Sequence, residues 1–94
     1  MSVFAAFQSI QVKDTGVESY KVHELVRRPY SVETYIIVTR GQVKTVRTEF
    51  WLDGKADPLH VIETGLLQSD SAIPEQHARL VVQKLVELRI QVAN

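Results

Sequence analysis

Residues 74–92 read PEQHARLVVQKLVELRIQV, and this stretch decides the fold. Within it Ala78, Val81, Leu85, Leu88 and Val92 recur at alternating intervals of three and four, the spacing that aligns side chains on one side of an α-helix. Glu75, Arg79, Gln83, Glu87 and Gln91 fall four apart on a separate polar stripe, with Glu75 placed N-terminal to Arg79 for an i,i+4 ion pair. Pro74 suits the first helical position, where the N–H it lacks would have no intrahelical partner. A helix is therefore expected over about 74–92, with His77 in its first turn facing solvent. No earlier segment has this period, so the chain reads as a sheet that ends in a helix covering it.

The sheet itself is written in β-branched and aromatic runs. Tyr30 to Thr39 and Val43 to Leu52 form the clearest hairpin, joined by Arg40-Gly41-Gln42. A three-residue connection that pairs Thr39 with Val43 aligns Val32, Ile36 and Val38 with Val46 and Phe50 on one face. A two-residue connection would instead mix Lys44 with Tyr35 and Ile37, so three is expected. Upstream, Val3 to Val12 has strand-like content, Lys13-Asp14-Thr15-Gly16 supplies turn chemistry, and Val17 to Val26 follows. In that segment Tyr20, Val22 and Val26 alternate with polar Lys21 and His23, the period of a half-buried strand. Arg27-Arg28-Pro29 marks a corner, because proline removes a ladder donor. Asp53-Gly54 marks another turn. The stretch after it fits two templates: Asp57-Pro58 and Gly65 could bound a two-turn helix, while Val61-Ile62 and Leu66-Leu67 could form a last strand. The strand, at about 60–67, is adopted because it extends the meander and because Gly65 suits a bulge. The expected architecture is one α+β domain over residues 1–94, with an antiparallel four- or five-stranded meander over about 3–67 packed on the C-terminal helix.

Composition narrows the function classes. The chain has 94 residues, 45% of them hydrophobic, enough for one core; a domain of this size buries roughly 60–65% of the surface its unfolded chain exposes. Eleven Lys and Arg balance eleven Asp and Glu, which gives no bulk attraction to nucleic acid or to an anionic membrane. The absence of cysteine removes disulfides, thiolate metal sites and cysteine nucleophiles and agrees with a reducing, cytoplasmic location. No apolar run reaches the ~18 residues of a membrane span, and the N-terminal segment lacks the basic start of a signal peptide.

Motifs for catalysis are missing: there is no Gly-x-Ser-x-Gly, P-loop, Gly-x-Gly-x-x-Gly or His-Glu-x-x-His. His60 and Glu63 have metal-ligand spacing only if their segment is helical, and a structural zinc site needs four ligands, so no metal and no cofactor are expected. His23, Tyr35 and His60 are the candidates for a ligand pocket between helix and sheet. Charge is lopsided along the chain despite its neutral total. Residues 19–51 carry six basic against three acidic side chains, and residues 52–75 carry one basic against five acidic. Arg27, Arg28, Arg40, Lys44 and Arg47, with tyrosines and Trp51 nearby, could bind phosphates of a nucleic acid. Solvated strand faces produce the same composition. Leu80, Val86 and Ile90 widen the apolar surface of the helix beyond what a small sheet covers, which points to an interface. The leading expectation is a noncatalytic interaction or assembly protein, a homo-oligomer that also binds another protein. A nucleic-acid-binding module and a small-ligand binder or enzyme are the alternatives.

Overall fold

In the computed structural model, which describes residues 7, 19–39, 43–66 and 72–91, the elements are β1 (Ser19–Arg27), β2 (Tyr30–Thr39), β3 (Val43–Leu52), β4 (His60–Leu66) and α1 (Glu75–Glu87). Each strand pairs antiparallel with its predecessor, giving a four-stranded meander among the described residues, in the order β1-β2-β3-β4. The helix packs across one face, closest to β4. This is the α+β architecture expected from the sequence. The segment expected to start the sheet, residues 3–12, lies outside the described residues apart from Phe7, whose backbone is helical and whose side chain is buried in the core.

The central hairpin pairs Tyr30 with Leu52 at one end and Thr39 with Val43 at the other, leaving a three-residue connection. That register places Val32, Ile36, Val46 and Phe50 inward, all at 0% exposure. They meet Ala78, Val81 and Leu85 of α1, with Leu25, Ile62, Leu66 and Ile73 around them. Removing these groups from water supplies the main favourable term of folding.

β1 departs from simple alternation. Lys21 pairs with Tyr35, but the next pair is His23 with Thr34, so Val22 is the additional residue of a bulge. One inserted residue transfers every later side chain to the other face. His23 and Leu25 consequently turn inward, and Val26, expected inside, is 43% exposed. The corner at Arg28-Pro29 is where it was expected, with a cis peptide bond. After β3, the Lys55 N–H donates to the Leu52 carbonyl at 3.1 Å. Gly54 takes φ 82° in that turn, a conformation that costs glycine no Cβ clash. β4 is a strand rather than a short helix, and Gly65 pairs regularly with Thr45, so the bulge expected there is absent from the β3–β4 pairing.

The helix begins one residue later than expected, with Pro74 as its N-cap, and ends at Glu87 rather than near Val92. The stop is a backbone event. Arg89 adopts φ 57°, its N–H donates to the Val86 carbonyl at 3.0 Å, and the Ile90 N–H donates to the Leu85 carbonyl at 2.9 Å. These two bonds close a Schellman motif, which satisfies carbonyls left open at the helix end and folds Ile90 back onto Leu85. Both side chains are buried in the core.

Candidate functional site

Beneath the helix, polar side chains form a hydrogen-bonded row. Thr34 and Thr48 are direct cross-strand partners, with hydroxyl oxygens 2.9 Å apart. Thr48 Oγ1 lies 2.6 Å from His77 Nε2, and Thr64 Oγ1 lies 3.1 Å from His77 Nδ1. Thr34, Thr48 and His77 are all at 0% exposure. His77 was expected to face solvent; it lies inside because it stands four residues before Val81 and eight before Leu85, on the buried seam. A neutral imidazole has one N–H and one lone pair, so one threonine accepts from the ring and the other donates to it. Burial pushes the His77 pKa down to about 4. Thr64 is partly exposed, and the row fixes the helix on the sheet.

His23 continues the row on β1, opposite Thr34. Its ring packs at 4.7 Å against Phe7, and its Nδ1 is buried with no hydrogen-bond partner among the described residues. Burial lowers its pKa as well. The other two residues expected to share a pocket with it are elsewhere. Tyr35 is opposite Arg47 on the outward face, and His60 is exposed at the start of β4, beside the Phe50 ring at 6.0 Å. His23, Tyr35 and His60 are not brought together.

The outward face is a lattice of charge pairs. Lys21 Nζ donates to Glu33 at 2.9 Å and to Glu24 at 3.2 Å, and the Tyr35 hydroxyl donates to the other Glu33 oxygen at 3.2 Å. Arg47 donates to Glu49 at 2.8 Å and to Glu63 at 2.9 Å. Glu33 and Glu49 face each other across β2 and β3, and this like-charge contact is relieved by Lys21 on one side and Arg47 on the other. Hydrogen bonding to Lys21 lowers the Glu33 pKa; bonds to Glu33 and Glu24 raise that of Lys21. Desolvation, then Glu33, raises that of Tyr35.

Of the five cations expected to form a phosphate-binding face, the four that are described do not share one face. Arg47 is outward and paired with carboxylates. Lys44 sits opposite Val38 and Leu66, in the register of the inward row, and Arg40 lies outside the described residues. Arg27 and Arg28 alone adjoin, and they meet a partner that sequence reading missed. A cavity of about 330 Å³ is lined by Arg27, Arg28, Pro29, Tyr30, Arg89, Ile90 and Gln91, where the β1–β2 corner approaches the chain leaving α1. The signal for Arg89 was hidden because the helical pattern runs through it.

The outward side of the same sheet end carries exposed apolar side chains on either side of Ser31. Val26 is opposite Ser31, and Ser31 is opposite Trp51. The Trp51 indole N–H donates to Glu49 at 3.1 Å, which directs the ring along β3 towards the position facing Val61. Leu59 is held beside β3 by its N–H bond to the Phe50 carbonyl at 2.6 Å. Val26, Leu59 and Val61 are 43%, 46% and 36% exposed. On the helix, Leu80 and Val86 are also exposed, whereas Ile90 is buried within the chain. Six residues apart, Leu80 and Val86 are roughly 120° apart about the helix axis, with exposed Arg79 and Gln83 between them. They do not form one patch.

Among the described residues, no helix is long and apolar enough to cross a membrane, and no three acidic or histidine side chains are grouped to hold a metal ion. Comparison with protein-family models, with curated proteins and with solved structures gives no match.

Proposed function

We propose that the protein is a noncatalytic assembly module of the cytoplasm that associates with a second copy of itself through the outward end of its sheet. The observation that carries this reading is the placing of exposed Leu59 and Val61 beside the half-buried Trp51, with exposed Val26 in the same row across Ser31. Large apolar side chains scattered singly over a surface need no explanation, but a contiguous group marks a contact site. The adjoining lattice supports a self-complementary contact, because it presents both signs of charge, Lys21 and Arg47 beside Glu24, Glu49 and Glu63. A twofold axis sets the same patch against itself. The interface thus belongs to the sheet rather than to Leu80, Val86 and Ile90 of the helical segment, which give no continuous surface.

Light scattering at tens of micromolar tests the reading. The expected mass is that of a dimer, and a Leu59→Glu/Val61→Glu variant should be a monomer that still unfolds cooperatively, with a melting temperature that no longer depends on concentration. A monomer mass for the parent chain throughout that range overturns the proposal.

A further inference from the structure

We infer that the cavity between the β1–β2 corner and the end of α1 is a binding site for a dianionic phosphate group, held by Arg27, Arg28 and Arg89. The inference does not depend on self-association, which uses the other side of the sheet end. Three arginines line the cavity, and among the described residues one carboxylate is bonded to any of them: Asp53, whose two oxygens both lie 2.9 Å from Arg28 Nη1. Three positive charges less one negative leave two positive, the complement of a phosphomonoester or of inorganic phosphate near neutral pH.

Donor capacity remains after the existing contacts are counted. Arg28 engages Asp53 through Nη1, so its Nη2 and Nε keep their hydrogens. Arg27 donates to the Val26 carbonyl through Nη1 at 2.8 Å and likewise keeps the rest. Arg89 has no side-chain hydrogen bond or ion pair among the described residues. Guanidinium forks match phosphate oxygens in pairs, with charge-assisted bonds stronger than neutral ones. At the helix end the carbonyls of Lys84, Leu85 and Val86 already accept from Leu88, Ile90 and Arg89, which reduces the number of open carbonyls facing the anion.

The backbone at Arg89 adds an independent observation. The residue after a Schellman helix end is in the left-handed region, where glycine is favoured and a side chain is strained. This chain has arginine there, at φ 57°, and that conformation directs the chain so that Arg89 lines the cavity with Arg27 and Arg28. Strain held by surrounding structure is a recurrent mark of a ligand clamp. Asp53 braces the corner from outside the cavity, because its N–H also donates to the Pro29 carbonyl at 2.9 Å, tying the β3–β4 turn to the corner.

A titration followed by amide NMR tests the site, with sodium phosphate, O-phosphoserine and a phosphodiester dinucleotide each added against sodium chloride at constant ionic strength. Saturable shifts confined to residues 27–30 and 89–91 are expected with phosphate and O-phosphoserine. The diester, with a single charge, should bind several-fold more weakly. Saturation by phosphate alone assigns the site to the free ion, and saturation by both assigns it to a phosphomonoester group. Arg89→Gly should weaken binding about tenfold, the loss of one charge-assisted contact, while its melting temperature stays level or rises, because glycine accepts the left-handed backbone. Arg27→Gln, which leaves the helix end untouched, should weaken binding similarly, and Arg79→Gln should leave it unchanged. Equal shifts with chloride, a preference for the diester, or undiminished binding in both Arg89→Gly and Arg27→Gln overturns the inference.

Discussion

The two faces of the sheet use polar groups in opposite ways. Inward, the polar row is neutral and, apart from partly exposed Thr64, buried: Thr34, Thr48, Thr64 and His77 satisfy one another and exclude charge. Outward, Lys21, Glu33, Arg47, Glu49 and Glu63 are ion-paired in contact with water. Interior polar groups left unpaired incur their whole desolvation cost, whereas an exposed ion pair replaces water contacts with protein contacts at little net gain. Specific geometry is therefore concentrated inside, and adaptable contact chemistry outside. The sheet end with the cis proline corner is where the two regimes meet.

The largest expected break in this contrast is Leu85→Ala. Leu85 is 2% exposed and packs under the helix beside the folded-back Ile90, so truncation should cost about 2–5 kcal/mol, the range for a buried leucine. Chemical denaturation measures it directly. A cost under about 1 kcal/mol, typical of a surface change, would place the helix seam on other residues.

Acid should separate the faces next. The His77 pKa is lowered to about 4 in the folded chain, while an unfolded histidine titrates near 6.5. Between those values the unfolded state binds the additional proton, so stability is fully present above about pH 6.5 and falls as the pH drops towards 4. The loss is roughly 3 kcal/mol across that window. His23, also lowered by burial, adds a loss of the same sign. Glu33 acts lower down: its depressed pKa gives stability that fades only as the pH falls below the usual carboxylate range. A His77→Gln variant should lose most of the dependence between pH 6.5 and 4.5, and an unchanged dependence there would move its origin away from the buried row.

The legible parts of the chain were those where one period acts alone. The β2–β3 register followed from matching Val32, Ile36, Val46 and Phe50, since a slip of one residue would expose all of them. The β1 faces were not legible, because the bulge at Val22 carries no glycine or proline to announce it, and the slip it causes is set by pairing with β2. The helix end was hidden for a similar reason. Arg89 stands where glycine would have signalled the stop, and the apolar pattern of Leu88, Ile90 and Val92 imitates a further turn. The arginine cavity depends on both errors being corrected, since it joins the corner after β1 to the residues after α1. His77 was legible in principle: its spacing to Val81 and Leu85 matches the seam, but polar identity outweighed position.

The smallest expected effect belongs to the outward lattice. Arg47 bridges Glu49 and Glu63, with about a third of its side chain exposed and Glu63 about half exposed. Bonds to Glu49 and then Glu63 raise its pKa, yet a guanidinium stays charged throughout the accessible range, so that shift has no bearing on stability near neutral pH. Exposed pairs of this kind are worth about 0.2–1 kcal/mol each and weaken as salt screens them. Glu63→Gln removes one of the two contacts while keeping the shape of the strand, so it should cost at most about 0.5–1 kcal/mol in dilute buffer and less at molar salt. Because Glu49 remains, Arg47 is not stranded, and the polar edge of the proposed contact face persists. Denaturation curves at low and high salt give the comparison. A cost of several kcal/mol, insensitive to salt, would mean that the outward lattice is as demanding as the row beneath the helix, and the distinction between the faces would fail.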